Sequence, residues 1–232
     1  MLDSPHFNSD WQLQLESVYR LYAALARGMD PDTGLGGKLL YAGELHQDGC
    51  RLVRAANIAG AASLAASADP DALRRANREG VADFLVTSLD EAMRILKNEV
   101  RKRQAVSVAV SVAPSVVVAE MLERGVLPDL LPPVEWNVGD ADLEVFLAQG
   151  ARPVAIGPLP DGQAFRVWAE VSRDFDTAAL AVIPESDHLN RRWLRLSPRY
   201  LGPDARRARS LGCAPEIAAR LAELGSSQER AK

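Results

Sequence analysis

Glu44, His46 and Asp48 are the residues of this chain whose types and spacing best suit chemistry. They stand at alternate positions between Gly43 and Gly49, in the segment AGELHQDGC. Carboxylates and an imidazole held close together can accept and return a proton, so the three are candidates for general acid or base catalysis. The alternative is that they cap the helix that follows, since negative side chains stabilise a helix N-terminus. The sequence leaves both interpretations open.

The same segment is where a nucleotide-binding fold would hold a diphosphate. That group needs glycines that permit close backbone approach, and free N–H groups at a helix N-terminus. Only Gly43 and Gly49 remain here, with Glu44 and Asp48 between them. Two like charges about 4 Å apart repel by about 4 kcal/mol at an effective dielectric near 20. The segment is therefore predicted to be a degenerate cofactor-binding turn without a tightly bound dinucleotide.

Three further residues are candidates for lining a ligand pocket. Ser111 ends a predicted strand and would lie at the same sheet edge as the turn. Arg166 and Trp168 stand two positions apart in a predicted strand, so alternation directs them to one face, where they could clamp an anion. The alternative is a core tryptophan with the arginine stem against it. Cys50 is either a thiol activated by the helix start or a small apolar residue.

The cysteines and histidines do not predict a metal site. Cys50 and Cys213 are the only cysteines, and His6, His46 and His188 lack ligand spacing. With 47% hydrophobic and 25% charged residues, the chain can bury an ordinary globular core. It has no apolar run of about 18 residues and no basic, then apolar, N-terminal signal. We therefore expect no membrane association and a reducing cytoplasm.

Charge is distributed unevenly along the chain. Residues 188–232 hold 10 Lys and Arg against 4 Asp and Glu, a net charge of 10 − 4 = +6. This pattern is typical of a solvated, arginine-rich helical segment. The alternative is a site for an anion, an acidic partner or nucleic acid, whose binding would depend steeply on salt. Nucleic acid is not expected as a partner.

The elements that must position the candidate residues alternate between apolar strands and helices. The segment CRLVRAANIAGAASLAAS predicts one alanine-rich crossover helix, and Ser88 with Glu91 predicts a capping box for the next. The predicted strands of the sheet are KLLYAG, DFLVT, AVSVAVSV and LPDLL. This alternation predicts a Rossmann-like α/β fold, a three-layer parallel sheet with helices on both faces and a helical C-terminal appendage.

Three regions are expected from these patterns. Residues 1–37 would form an N-terminal helix that packs on the core. Residues 38–185 would form the Rossmann-like α/β core, including two weaker strand signals, ARPVAIG and FRVWAEV. Residues 186–232 would form the helical, arginine-rich C-terminal segment.

Four segments follow one another along the chain: GGKLLYAGE, AANIAGAASLA, SLDEAMRILKN and MLERGVLPDLL. In order and separation they resemble segments of one protein family, the urocanases, which hydrate urocanate in histidine degradation. A second, weaker stretch, from FRVWAEVS to IPESDHLNRRWLRL, is also similar to the family. The resemblance implies a Rossmann-like core that in urocanases holds NAD as an electrophile. It also implies a homodimer.

The chain departs from the family where chemistry would be expected. The family's acidic residue for the ribose hydroxyls falls near Ser67, with Asp69 close by. Its cysteine would fall near Leu159 and Pro160, where there is none. We therefore expect a urocanase-like Rossmann protein without NAD-dependent urocanate hydratase activity, acting as a small-molecule binding or accessory protein. It would be a homodimer or pair with a related chain.

The alternative is a functional hydratase or lyase related to urocanate hydratase. It would need a partner chain to supply the missing parts of the site. Because both expectations rest on the same residues, the sequence leaves open whether the protein is an enzyme.

Overall fold

The computed structural model describes residues 9–136, 141–160, 162–169, 171, 174–202 and 208–229. These residues form two compact units. One unit comprises Leu21–Ile156, and the other comprises Met1–Arg20 with Gly157–Lys232. The predicted arginine-rich segment includes residues 203–207 and 230–232, which lie outside the described residues, as does His6.

The Leu21–Ile156 unit is built on a six-stranded, all-parallel sheet. Its strands are β1 (Leu39–Glu44), β2 (Ala62–Ala66), β3 (Phe84–Val86), β4 (Ser107–Val110), β5 (Leu130–Leu131) and β6 (Arg152–Pro153). They lie in the order β3-β4-β2-β1-β5-β6. From β1 the chain passes to β2 and then to the edge strand β3, returns to place β4 between β3 and β2, and finally adds β5 and β6 on the other side of β1. The topological switch point, where open α/β sheets bind ligands, lies between β1 and β5.

Helices connect these strands and cover both faces of the sheet. They are α2 (Gln47–Ala59), α3 (Pro70–Arg78), α4 (Leu89–Arg101), α5 (Pro114–Glu123) and α6 (Ala141–Ala148), with a 3₁₀ turn at Val134–Trp136. The helix α1 (Ser9–Leu25) precedes the sheet, and its residues up to Arg20 belong to the other unit. The predicted Rossmann-like α/β fold is confirmed. No helix among the described residues is long and apolar enough to cross a membrane.

Alternation along the strands assigns each helix to a face. On one face a buried cluster joins strand residues such as Leu64 and Val108 to α4, α5 and α6. Ser107, the residue before Val108 in β4, is on the opposite face, because successive strand residues point to opposite sides. There the Ser107 hydroxyl accepts from the Asn57 side chain of α2 at 3.4 Å. The end of α3 lies beside α2, since Arg54 pairs with Glu79.

The prediction of a single helix through CRLVRAANIAGAASLAAS is wrong. Gly60 ends α2 with φ of +96°, and its N–H donates to the Ala56 and Asn57 carbonyls. The following residues form β2, which pairs with both β1 and β4 in the middle of the sheet. The strand was missed because β2 is rich in alanine, which favours helices. Small side chains instead let helices approach the central strand closely from both faces.

The second unit contains a two-stranded antiparallel sheet of β7 (Ala164–Ala169) and β8 (Ala208–Cys213). Its helices are α7 (Phe175–Val182), α8 (His188–Tyr200) and α9 (Pro215–Glu229). The two C-terminal helices agree with the predicted helical appendage, but β8 was not predicted. This strand contains arginine, serine and glycine, which have little strand preference. Pairing with β7 therefore specifies it, rather than its own composition.

A buried hydrogen-bond network organises this second unit. The Tyr19 hydroxyl lies 2.7 Å from Asn190 Oδ1, and the Asn190 amide donates to the Gly212 carbonyl at 3.0 Å. A Cβ at Gly212 would lie 2.6 Å from the Tyr19 ring, so only glycine fits this position. The hydrogen bonds of Tyr19 and Asn190, together with the close contact at Gly212, hold β8 against α1 and α8.

The predicted capping box at the start of α4 is present and gives a pH-dependent contribution to stability. Ser88 Oγ accepts from the Glu91 N–H, and Glu91 Oε2 accepts from the Thr87 N–H at 2.9 Å and from the Thr87 hydroxyl. These hydrogen bonds, with the Thr87 N–H the largest cause, hold the pKa of Glu91 below its ordinary value. A depressed carboxylate pKa stabilises the fold at neutral pH, and this stabilisation is lost as the pH falls through the folded-state pKa.

We expect Glu91→Gln to be less stable than the parent chain at neutral pH, with the difference disappearing in acid. Urea unfolding followed by circular dichroism over a pH series would measure both. Lys97→Gln, at an exposed position of the same helix that does not contribute to the lowered pKa of Glu91, is the control. A stability difference that does not depend on pH would contradict the assignment.

Candidate functional site

The turn between β1 and α2 lies at the carboxyl edge of the parallel sheet, next to the switch point. Gly43 has φ of +77° there, a conformation that favours glycine. A Cβ added to Gly43 would lie 3.8 Å from Cγ of Pro132, the residue that follows β5. Buried Pro132 thus lies against the turn from across the switch point.

His46 is the N-cap residue of α2. Its backbone is extended, and its carbonyl accepts from the Cys50 N–H at 2.9 Å. Its Nδ1 accepts from the Gly49 N–H at 3.1 Å, so this nitrogen carries no proton in the cap. The imidazole side chain is exposed. The Gly49 N–H at the helix N-terminus is therefore already hydrogen-bonded to the capping side chain of His46.

The two carboxylates of the turn also have partners. Asp48 pairs with Arg51 one helical turn later, with Nη1 and Oδ1 2.8 Å apart. Glu44 Oε1 accepts from the Ser67 hydroxyl at 2.7 Å, and Ser67 Oγ accepts from the Asp69 N–H at 3.1 Å. Glu44 thus links the carboxyl ends of β1 and β2 to the start of α3.

Gly49 supports the turn through packing. It is buried, and an added Cβ would lie only 1.9 Å from the Glu44 carbonyl oxygen. In the pattern G-x-G-x-x-G the third glycine permits this close contact between helix and strand. Counting back from Gly49, the first two glycine positions fall on Glu44 and His46. The packing glycine is retained, whereas the two that would accommodate a turn around phosphates are replaced.

The residues of this turn do not fit the diphosphate of a dinucleotide. The Gly49 N–H, which would face the phosphates, donates to His46 instead. The His46 side chain stands where the second glycine would let the backbone approach the diphosphate. The Glu44 carboxylate adds a like charge at the end of β1. Near the position expected for ribose binding, Ser67 donates to Glu44, and the neighbouring Asp69 serves as the N-cap of α3.

The remaining candidates lie elsewhere. Ser111 is exposed just after β4, and its N–H donates to the Val86 carbonyl. Arg166 and Trp168 lie on β7, in the other unit. Arg166 is exposed, while Trp168 is half-buried with its ring centroid 6.3 Å from that of Phe175. The structure therefore gathers Glu44, His46 and Asp48 in one turn and keeps Ser111 in the same sheet unit.

Cys50 lies in surroundings that disfavour the thiolate form. It is half-buried in the first turn of α2, with its Sγ 3.9 Å from the Leu45 carbonyl oxygen. Burial raises the pKa of the Cys50 thiol, and the positive charge of Arg54 offsets this only in part. Of the two interpretations, the small apolar residue agrees with the structure. No group of acidic, histidine or cysteine residues suited to a metal occurs within the described ranges.

Sequence reasoning did not assign roles to Ser67, Arg51 and Pro132. The spacing of Asp48 and Arg51 could have predicted their ion pair, because residues three apart on a helix are neighbours. Ser67 and Pro132 are distant in sequence from the turn and had no local signal. Arg51 Nε is buried without a hydrogen-bond partner.

Fold and turn together define a Rossmann-like α/β protein with a closed first turn. The family whose model matches the chain is the urocanase Rossmann-like domain, over residues 15–133. This match covers 119 of 232 residues. The chain belongs to the urocanase family, as the resemblance predicted.

Proposed function

We propose that this urocanase-family protein does not perform NAD-dependent urocanate hydration and acts as a small-molecule binding or accessory protein. The main support is the His46 cap, which uses the Gly49 N–H that a diphosphate would need. The hydrogen bond between Glu44 and Ser67 gives further support, because it engages the ends of β1 and β2 within the protein. Away from this turn, the strands and helices of the α/β unit pack in one buried hydrophobic cluster.

The site most suited to a ligand in this proposal is the carboxyl edge around the first turn. Glu44, His46 and Asp48 remain the candidates for polar contacts there, with Ser111 at the end of β4. A ligand at this edge would meet carboxylates and an imidazole rather than free helix N–H groups. We therefore infer a neutral or cationic small molecule rather than a phosphate ester. The two free cysteines are compatible with a reducing cytoplasm.

The experiment begins with protein purified without added cofactor. The chain is denatured in acid, and the supernatant is assayed for NAD by mass spectrometry. In parallel, native protein is mixed with urocanate and NAD while urocanate absorbance is followed, with an authentic urocanate hydratase as the positive control. We expect no released NAD and no turnover.

One mole of NAD per mole of chain, or steady consumption of urocanate, would overturn the proposal. Turnover that appears only after addition of a second chain would establish the alternative, a hydratase completed by a partner. A thermal shift produced by a neutral or cationic small molecule such as imidazole, in the absence of turnover, would support the binding role directly.

A further inference from the structure

The outer edge of β3 is exposed and apolar. This strand ends the six-stranded sheet on one side. Phe84 is 47% exposed and Leu85 is 41% exposed. Because they are consecutive, they point to opposite faces, so the edge is apolar on both sides of the sheet. An edge strand also presents backbone N–H and C=O groups that another strand can pair with.

The opposite edge of the same sheet is protected. It is formed by β6, which consists of exposed Arg152 and Pro153. Charged side chains and proline are the devices that prevent edge-to-edge pairing, since proline has no N–H and a charge resists desolvation. The residues of β3, Phe84–Val86, include neither. The two edges therefore differ in kind, and the β3 edge is the one open to pairing.

We propose that β3 pairs with β3 of a second copy of this chain, antiparallel, about a two-fold axis at Leu85. The two six-stranded sheets would then form one continuous sheet. In this register Phe84 of one copy lies opposite Val86 of the other. Both residues are on the face of the buried cluster, because in the sheet they neighbour Val108 and Val110. The pairing would cover the exposed ring with apolar side chains.

The charges on the flanking helices favour this antiparallel arrangement. α3 and α4 contact β3 from opposite faces, and each is acidic at its start and basic at its end. A two-fold axis sets each helix antiparallel to its copy, so the acidic start lies toward the basic end. On α3 this places Asp71 toward Arg78 of the second copy. Attraction of this kind selects orientation and partner.

The first test is the mass of the particle in solution, measured by light scattering and sedimentation at micromolar concentration. We expect a dimer for the parent chain and a monomer for Leu85→Lys, with an unchanged circular dichroism spectrum. Leu127→Lys is the matched control, because Leu127 is 47% exposed but lies outside β3. It should remain a dimer. A monomeric parent chain, a dimeric Leu85→Lys, or a monomeric Leu127→Lys would overturn the proposal.

The second test uses charge reversal on α3. Asp71→Lys and Arg78→Glu should each weaken the dimer about tenfold, since each sets like charges against each other in the homodimer. Mixing the two variants should restore affinity to within about threefold, because every opposed pair is then of opposite sign. A loss of folding would not be rescued by mixing. Failure of the mixture to recover the dimer would overturn the proposal.

Discussion

Gly49→Ala is expected to destabilise the Leu21–Ile156 unit by about 3 kcal/mol or more, because overpacking in a rigid site must displace the backbone. At an ordinary helix position the same change would stabilise by about 1 kcal/mol. The sign is reversed here because the new methyl group would lie 1.9 Å from the Glu44 carbonyl oxygen. The contact is with backbone, so no side-chain rotation can relieve it. Urea unfolding followed by circular dichroism would measure the loss.

Gly80→Ala separates this clash from the general effect of losing a glycine. Gly80 has φ of +69° and nothing within 4 Å of an added Cβ. The control should therefore lose only about 1–2 kcal/mol, the cost of a left-handed conformation in an L residue. If Gly49→Ala is as stable as the parent chain, α2 does not approach β1 as closely as described, and the retained packing role of Gly49 is wrong.

Trp193→Ala is expected to destabilise the second unit by about 3–5 kcal/mol, the usual cost of deleting a buried aromatic side chain. Trp193 is fully buried, and its Nε1 donates to the Ser210 carbonyl at 2.7 Å. Its ring stands at 87° to that of Tyr19, with the centroids 5.0 Å apart. The substitution thus removes apolar contacts, an aromatic pair and a buried hydrogen bond. Thermal unfolding combined with near-ultraviolet circular dichroism would report the change.

Trp168→Ala is the matched control for this prediction. The residue is in the same unit and makes one aromatic contact, with Phe175, but it is only half-buried. Less apolar area returns to water, so a smaller loss is expected. Equal losses for the two tryptophans would contradict the assignment of Trp193 to the core of this unit.

The chain contains the urocanase Rossmann-like domain, and in its first turn the polar groups are bonded to one another within the protein. Helix and strand still meet at Gly49, as the fold requires. The neighbouring N–H is bound by His46, and Glu44 is bound by Ser67. Substitutions in this turn need not disturb the hydrophobic core, because the buried cluster does not include Glu44, His46 or Asp48. The family fold is therefore recognisable from the packed sheet and helices, independently of the residues in the first turn.

The failure to predict β2 shows where local patterns are insufficient. Residues Ala62–Ala66 have the composition of a helix, and all five are buried. Local preference favours the helix by only a fraction of a kcal/mol per residue. Pairing with two neighbouring strands and coverage on both faces outweigh it. The only local indication was Gly60, whose left-handed conformation ends α2.

The amino-acid sequence by itself determined the alternation of strands and helices, the Rossmann-like class, the family and the altered first turn. The alternation and the class follow from periodicity and residue type within short segments, whereas the family follows from the resemblance of those segments. Only the tertiary structure decided the partners of that turn: Glu44 meets Ser67 across 23 positions of sequence. It likewise decided that β3 is the unprotected edge. These contacts and the exposure of the sheet edge depend on distances between elements. The packing of the whole sheet sets those distances, and local sequence patterns do not.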